Sequence, residues 1–166
     1  MQALNFCMVA ASALMIWRCI MIVCNTEAPM VVVLSGSMEP SMYRGDILVL
    51  YKKDQLKIGD TIVYQIENEK IPIVHRISSL QDVRDTKDKT KSTTMYLTKG
   101  DNNPVDDRGL YPRNRMYLSE KEYVGHVLGT IPYSGYLTLL MTDYPYLKYS
   151  LIFCMFLSVL VSKDPS

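Results

Sequence analysis

The amino-acid sequence predicts a mainly β fold with an N-terminal transmembrane helix and a short C-terminal hydrophobic helix. Three observations predict it: an apolar segment at each end of the chain, a charged middle, and short β-branched runs separated by turn residues within that middle. The 166 residues leave room for one compact domain between the two ends. The 18 basic and 17 acidic residues nearly cancel without forming a basic stripe, so nucleic acid is not an expected partner.

The N-terminal apolar run covers residues 3–24 and is long enough to cross a bilayer, which takes a helix of about 20 residues. Its one charged residue, Arg18, lies near the end of the run, where its side chain can reach the interface beside Trp17. A cleaved signal peptide is the alternative, but the run lacks a basic n-region and a clear small-x-small cleavage site. Residues 1–26 are therefore predicted to be a retained anchor, whose orientation the charges do not decide.

The middle of the chain, residues 27–145, is predicted to be a β-rich domain. Its β-branched and aromatic runs predict strands at 31–34, 47–51, 61–66, 71–77, 95–98 and 123–131. Pro72 indicates that the fourth strand is an edge strand or contains a bulge. The almost wholly polar residues 81–94 predict a long hairpin loop. The sequence RGD at 44–46 matches an integrin-binding tripeptide, but a turn between two strands explains it better.

The C-terminal apolar run, residues 151–161, is shorter than an ordinary membrane span. Residues 146–166 are therefore predicted to be a short membrane-associated segment, with a buried core helix as the alternative. All four cysteines lie in the two apolar end segments. The middle thus offers neither a disulfide framework nor a Cys-based metal site.

Three polar elements of the middle could carry chemistry. His75 lies inside an apolar strand, where a histidine is more often structural than catalytic; His126, the only other histidine, has no polar group of residues around it. A Ser-Gly-Ser turn at 35–37 follows the first strand. Such a turn can expose a hydroxyl beside free backbone N–H groups, as a nucleophile and its oxyanion donors require, although Ser-Gly pairs also form plain turns.

The third polar element is the loop at 99–109, which holds three aspartates and two asparagines between glycines. A calcium site is one interpretation, but the oxygen spacing and the closing Glu of an EF-hand loop are missing. A loop that presents one carboxylate to a histidine is the second interpretation. A solvated acidic turn is the third.

Five strings occur in a fixed order along the chain: VVVLSGSMEP at 31–40, RGD at 44–46, GD at 59–60, IPIVHR at 71–76 and LTKGDNNPVDDRGLY at 97–111. Together they resemble the catalytic subunit of the eukaryotic endoplasmic-reticulum signal peptidase complex, within the signal peptidase I family, over nearly the whole chain. The resemblance implies a signal-peptidase-like β-fold. It also implies a membrane-bound serine endopeptidase that removes N-terminal signal peptides from secretory and membrane pre-proteins during or after translocation, and that cuts after small residues at −1 and −3.

The resemblance also implies roles for individual residues. Ser37 matches the nucleophile, His75 the general base and Asp107 the carboxylate that orients the base. Ser35 matches a position whose hydroxyl helps form the oxyanion hole in bacterial relatives. Asp101 matches a second acidic position with a supporting role, and which of the two aspartates contacts His75 stays open.

The same resemblance implies no cofactor and no metal. The implied partners are signal peptides as substrates, accessory membrane subunits and the lipid bilayer. The implied location is the endoplasmic reticulum membrane, crossed once, with the catalytic domain in the lumen. A bacterial-type or mitochondrial peptidase is one alternative, but those relatives use a lysine where this chain has His75. A catalytically inactive β-module that serves only in assembly is the other, although every reactive residue type is present.

Overall fold

The computed structural model describes residues 2–66, 69, 71–84, 92–112 and 115–161. In this part of the chain, a mainly β domain lies between terminal helices, which confirms the predicted fold class. The elements are α1 (Gln2–Cys24), β1 (Met30–Val32), β2 (Ile47–Tyr51), β3 (Thr61–Tyr64), β4 (Ile73–Arg84), β5 (Ser92–Lys99), β6 (Tyr123–Ile131), α2 (Tyr136–Asp143) and α3 (Pro145–Val161). Two single-turn 3₁₀ helices, Asp107–Gly109 and Glu120–Glu122, lie between β5 and β6.

The six described strands form one antiparallel sheet in the order β1-β2-β6-β3-β4-β5. The last strand, β6, inserts between β2 and β3 and so joins the first hairpin of the domain to the rest. Every residue of β3 is buried. This happens because apolar side chains cover the sheet on both faces there and successive side chains of a strand point to opposite faces.

Two apolar clusters accordingly form the core. One contains Leu56, Ile62, Tyr64, Ile66, Ile77, Tyr96, Leu97, Tyr111, Leu118 and Tyr123. The other contains Val33, Met38, Met42, Leu48, Leu50, Val63 and Val127. The chain that follows β1 is therefore anchored by Val33 and Met38, which lie on either side of the Ser-Gly-Ser turn.

The hairpin of β4 and β5 is longer than the sequence pattern indicates. Residues 81–94 were expected to be a loop, but β4 continues to Arg84 and β5 begins at Ser92, and the two strands pair through Arg84 and Ser92. Gln81, Asp82 and Val83 are exposed. A strand that is exposed to solvent needs no apolar side chains to cover a core. This part of the hairpin therefore shows no apolar alternation by which the sequence could predict it. Residues 85–91 lie outside the described residues.

β4 contains a bulge, as the sequence indicates, but it is not an edge strand and Pro72 does not lie at the bulge. Pro72 precedes the first residue of β4, Ile73, so its missing N–H removes nothing from the strand ladder. β4 itself is an interior strand between β3 and β5. The bulge in β4 lies between Ile77 and Ser79 instead.

The N-terminal helix α1 has the length and composition of a membrane span. Its segment Leu4–Cys24 has a mean hydropathy of 2.1, and it is not buried against the rest of the protein. Two hydrogen bonds tie the end of α1 to the sheet. The Lys52 N–H donates to the Cys24 carbonyl at 3.0 Å, and the Thr26 hydroxyl donates to the Val124 carbonyl at 3.0 Å.

Helical structure begins earlier at the C-terminus than predicted. α2 starts at Tyr136, inside the segment expected to be β-rich, and α3 contains 17 residues where an 11-residue run at 151–161 was expected. Pro145 at the first position of α3 suits a helix start, because its missing N–H has no partner there in any case. The side chains of α3 from residue 145 to residue 158 are exposed, which excludes a buried core helix.

The RGD sequence forms the expected turn between β1 and β2, and α2 docks on this turn. Gly45 adopts a φ of +97°, a conformation that favours glycine. Its N–H donates to the Val33 carbonyl at 2.9 Å, and its own carbonyl accepts from Gly135 at 2.8 Å. Arg44 forms an ion pair with Asp143 of α2 at 2.7 Å. The turn therefore connects the start of β2, the end of α2 and the chain leading to Ser37.

Asp46 completes this turn from the inside. Its buried carboxylate accepts the N–H groups of Tyr43 at 2.9 Å and Tyr133 at 3.2 Å. Because both carboxylate oxygens are engaged, the tripeptide is a structural turn and its aspartate is not presented to solvent.

Candidate active site

Ser37 and His75 meet where the turn after β1 faces the start of β4. The Ser37 hydroxyl oxygen lies 3.0 Å from His75 Nε2. Met38, which is fully buried, holds the turn on one side of Ser37, and pairing of His75 with Ile62 of β3 fixes the strand that carries the imidazole. The two reactive groups are therefore positioned by core packing and by the sheet.

Asp107 lies on the other side of the imidazole. Its Oδ2 is 2.5 Å from His75 Nδ1. His75 is 3% exposed and Asp107 is 1% exposed, so this pair is shielded from water, while the Ser37 side of the ring is only partly buried. The 3₁₀ helix that begins at Asp107 follows an Asp106 cap, in which the Asp106 carboxylate accepts the Arg108 N–H.

Three hydroxyl groups that the sequence analysis did not single out surround Asp107. Its Oδ2 also accepts hydrogen bonds from Thr98 Oγ1 at 2.6 Å and from the Tyr64 hydroxyl at 3.2 Å. Because the Thr98 proton is directed to Asp107, the Tyr111 hydroxyl donates to Thr98 Oγ1 at 2.9 Å. Burial raises the pKa of the Tyr64 and Tyr111 hydroxyls, and the nearby carboxylate raises it further, so both remain protonated donors.

The loop after β5 passes very close to the reactive groups. A Cβ atom at Gly100 would lie 2.7 Å from the Ser37 carbonyl oxygen and 2.9 Å from His75 Nε2. Real Cβ atoms do not make such short contacts, so this position requires glycine. Next to it, the Asn102 N–H donates to the Ser37 carbonyl at 2.9 Å, and Asn102 Nδ2 donates to the Gly36 carbonyl at 3.0 Å.

Asp101 binds Arg76 and Ser41, whereas Asp107 contacts His75. The Arg76 guanidinium donates to both carboxylate oxygens of Asp101, at 2.9 and 2.7 Å, and the Ser41 hydroxyl donates to Oδ2. Hydrogen bonding to Arg76 lowers the pKa of Asp101. Since Arg76 follows His75 on β4, this ion pair fastens the loop after β5 to the strand that carries the imidazole.

A cleft of about 420 Å³ adjoins Ser37 and His75. Residues 32–35 form one wall, residues 71–74 form the facing wall, and Asn103 and Leu110 contribute from the loop after β5. The lining is mostly apolar, apart from Ser35, Ser37, His75 and Asn103. Such a cleft can receive an extended peptide between two stretches of chain.

A hydroxyl, an imidazole and a buried carboxylate linked in this order can activate the hydroxyl as a nucleophile. The described residues contain no group of three or more His, Cys, Asp or Glu side chains that could hold a metal ion. His126 faces Asp60, with 3.6 Å between Nε2 and Oδ1, and so lies in a different polar cluster, with Lys53.

Comparison with known proteins identifies the family. Signal peptidase complex catalytic subunit SEC11C of Homo sapiens is 44% identical over 165 residues, which cover 98% of this chain and 83% of the relative. Signal peptidase complex catalytic subunit SEC11 of the fungus Schizophyllum commune is 43% identical over 175 residues, which cover 99% and 91%. The human protein named putative signal peptidase complex catalytic subunit SEC11B is 45% identical, over 98% and 95%. The chain belongs to the SEC11 family of signal peptidase complex catalytic subunits.

A family description named "Signal peptidase C-terminal short helix" matches residues 136–161, which are α2 and α3. As a SEC11 catalytic subunit, the chain is a protease whose activity is the removal of signal peptides. Its apolar N-terminal helix fits a membrane anchor, and the protein is a membrane protein of the endoplasmic reticulum. The predicted family and general activity are thus confirmed.

In this SEC11 chain the predicted site residues lie in two groups. Ser37, His75 and Asp107 are linked by hydrogen bonds, and the Ser35 hydroxyl joins them with a 3.3 Å contact to Ser37 Oγ. Asp101 lies outside this chain of contacts, on the far side of Arg76. Thr98 and Tyr111 lie within the string LTKGDNNPVDDRGLY. The one signal that could have identified Thr98 is its polar side chain in the predicted strand 95–98.

Proposed function

We propose that the chain cleaves signal peptides as a serine endopeptidase in which Ser37 is the nucleophile, His75 the general base and Asp107 the carboxylate that orients His75. The observation that carries this proposal is the continuous contact from Ser37 Oγ through the imidazole to Asp107 Oδ2. The order Ser, His, Asp along the chain differs from the familiar triad orders, so the proposal depends on geometry.

In the proposed mechanism His75 takes the proton of Ser37 as Oγ attacks the carbonyl carbon of the scissile bond. Asp107 accepts the Nδ1 proton of the ring, which fixes the tautomer and stabilises the imidazolium that forms. His75 then gives its proton to the leaving amine, and an acyl-enzyme forms on Ser37. Water attacks the acyl carbonyl as His75 takes one of its protons, and this proton passes to Ser37 Oγ as the Oγ–acyl bond breaks and the carboxylic acid product leaves. Tyr64 and Thr98, which hydrogen-bond the carboxylate, keep it aimed at the ring.

The oxyanion is proposed to bind to the Ser37 backbone N–H and the Ser35 hydroxyl. Ser35 is exposed, lines the cleft and already lies within reach of Ser37 Oγ. One donor of this kind typically contributes about a hundredfold or more to the rate. Asp101 is proposed to support the site through Arg76.

The substrate is proposed to be the end of a signal peptide with small residues at −1 and −3. An extended segment bound between residues 32–35 and 71–74 would present alternate side chains to the apolar walls and its carbonyl to Ser37. Small side chains suit a cleft of about 420 Å³ that has to hold main chain as well.

The membrane arrangement is proposed as follows. Residues 1–26 cross the membrane once, residues 27–145 hold the catalytic domain in the lumen, and residues 146–166 associate with the bilayer. The exposed apolar surfaces of α1 and α3 support this arrangement, because such surfaces require lipid or protein around them. Signal peptides of pre-proteins, accessory membrane subunits of the complex and the bilayer are the proposed partners.

The test is cleavage of a pre-protein by the assembled complex containing Ser37→Ala or His75→Ala, with the cut site read by mass spectrometry. Both variants should lose cleavage while the complex still assembles. Ser134→Ala and His126→Gln are matched controls, since Ser134 is exposed and His126 lies in a different polar cluster, and both should cleave normally. Retained cleavage by either site variant would overturn the assignment.

A further inference from the structure

We infer that Asn102 is a positioning residue that orients the peptide bond between Gly36 and Ser37, the peptide whose N–H meets the oxyanion. The inference rests on the proposed serine mechanism. Its basis is a pair of hydrogen bonds from one residue: the Asn102 side-chain amide donates to the Gly36 carbonyl at 3.0 Å, and its backbone N–H donates to the Ser37 carbonyl at 2.9 Å. Two successive carbonyls of the nucleophile turn are thus held from the same side.

Because the peptide bond is planar, the contact of Asn102 with the Gly36 carbonyl also sets the direction of the Ser37 N–H. In a trans peptide the carbonyl oxygen and the following N–H point in opposite directions. Holding the Gly36 carbonyl against Asn102 therefore directs the Ser37 N–H away from the loop at 100–103. Within the part of the chain that the structure describes, the Ser37 N–H donates no hydrogen bond, so it is available to a ligand.

Gly36 makes such a restraint necessary. Rotating the peptide plane changes ψ of Gly36 and φ of Ser37, and glycine tolerates almost any backbone conformation. The Gly36 carbonyl also accepts a hydrogen bond from the Glu39 N–H at 3.2 Å, a longer contact within the same turn. Without the Asn102 amide, that one longer bond remains to hold the peptide plane, which can then turn and take the Ser37 N–H away from the oxyanion. The second bond, from the Asn102 N–H to the Ser37 carbonyl, fixes the position of the turn relative to Asn102. It thereby keeps the Asn102 side-chain amide within hydrogen-bond distance of the Gly36 carbonyl.

The loop that carries Asn102 is itself held firmly. Asp101 is bound by both nitrogens of the Arg76 fork on β4, and the Asn103 N–H donates to the Gly100 carbonyl at 3.1 Å. The absence of a side chain at Gly100 lets the loop approach the Ser37 carbonyl closely. Asn102 therefore projects its amide from a fixed support, which is what a positioning residue requires.

The experiment compares Asn102→Ala and Asn102→Asp with wild type in the assembled complex. Aspartate keeps the size of the side chain but faces the Gly36 carbonyl with a second acceptor. Both variants should lower kcat by about tenfold to hundredfold, a large part of what an oxyanion donor contributes, and should change KM little. Val105→Ala is the control, because Val105 belongs to the same loop and is 70% exposed, and it should behave as wild type.

A peptide aldehyde separates positioning from general loosening of the site. Ser37 Oγ adds to its carbonyl carbon, the hydroxyl proton passes to His75, and the carbonyl electron pair moves to the oxygen that occupies the oxyanion hole. The aldehyde affinity of both variants should fall by the same factor as kcat/KM, while the affinity for the cleaved peptide product stays unchanged. A parallel fall in both affinities, or unchanged kcat, would overturn the role of Asn102.

The controls also separate this inference from the proposed function. If Ser37→Ala is inactive and both Asn102 variants cleave like wild type, the role of Asn102 is refuted and the serine mechanism stands. If Ser37→Ala still cleaves, the serine mechanism itself fails. Since Asn102 is exposed, neither substitution removes core packing, and assembly of the complex with the two variants can be checked directly.

Discussion

At the scale of single residues, the buried carboxylate of Asp107 is the most constrained group of the site. Burying a carboxylate is costly unless hydrogen bonds replace its water shell. Here one oxygen, Oδ2, accepts from His75, Thr98 and Tyr64. These donors come from three different strands, so the carboxylate is held in place only when β3, β4 and β5 are correctly aligned.

Asp101 allows a prediction about acid stability. Arg76 lowers the pKa of folded Asp101 below the ordinary value of 3.8, so the ion pair contributes fully above that value and is lost as the pH falls through the lowered pKa. Arg76 is partly exposed and solvent screens the pair, so Asp101→Asn should reduce the free energy of unfolding by about 1 kcal/mol or less at neutral pH. The melting temperatures of wild type and variant, measured in detergent across a pH series, should differ above about pH 5 and converge only as the pH falls below 3.8 through the lowered pKa.

Val105→Ala provides the control, because Val105 lies in the same loop, is 70% exposed and carries no titratable group. Its effect should not follow the same acid dependence. A difference between wild type and Asp101→Asn that shows no decline as the pH falls well below 3.8 would show that the ion pair is not its source.

Individual site residues could be predicted from the sequence only where a motif marked them. Ser37, His75 and Asp107 came from ordered strings that resemble a family, and the strings could not decide between Asp101 and Asp107 as the partner of His75. That choice depends on the direction of each side chain from a loop. Tyr64 is far from the strings in sequence and reaches Asp107 only through strand pairing, so nothing local points to it.

At the scale of elements, alternation and turn residues predicted the strands well where one face is buried. β2 alternates between buried and partly buried positions and was predicted with its observed bounds. The outer ends of β4 and β5 were missed because solvated hairpins need no apolar alternation. α2 was missed because eight residues give little periodic signal and its position depends on docking against the β1–β2 turn.

That docking gives a prediction for Gly45. An added Cβ at Gly45 would lie 2.6 Å from the ring of Tyr136. The substituted residue would also have to adopt a φ of +97°, which strains any side chain. Gly45→Ala should therefore destabilise the fold by about 1–3 kcal/mol from backbone strain, with an additional loss from displacing α2. Thermal unfolding of the purified chain in detergent measures the effect.

Gly59→Ala is a matched control for the strain alone. Gly59 has a similar φ of +93°, but a Cβ there meets nothing within 4 Å. Gly45→Ala should lower the melting temperature more than Gly59→Ala does. Equal shifts would show that contact with Tyr136 does not matter.

At the scale of the whole molecule, we expect the length of α3 to affect substrate choice. Its 17 residues give a helix of about 26 Å, shorter than the roughly 30 Å of a typical hydrocarbon core. In the proposed membrane arrangement, a helix this short would favour a locally thin bilayer. We expect a thin bilayer to favour signal peptides with short apolar cores over full membrane anchors.

Lengthening α3 by four leucines within residues 151–161 should allow pre-proteins with longer apolar cores to be cleaved. The added turn extends the helix by about 6 Å and relieves the thinning. The measurement is the fraction cleaved for a series of pre-proteins with increasing core length. Replacing residues 153–156 by leucine without insertion is the control, and an unchanged length limit in the lengthened variant would contradict the idea.

The ties between the sheet and its two flanking helices have a consequence of their own. The bond from Lys52 to Cys24 holds the sheet to α1, and the bond from Gly135 to Gly45 holds it to α2. In the proposed membrane arrangement, Ser37 consequently lies at a fixed height above the bilayer. A signal peptide has to extend from the bilayer to that height before it can be cleaved. The fold therefore sets how many residues separate its apolar core from the cleavage site.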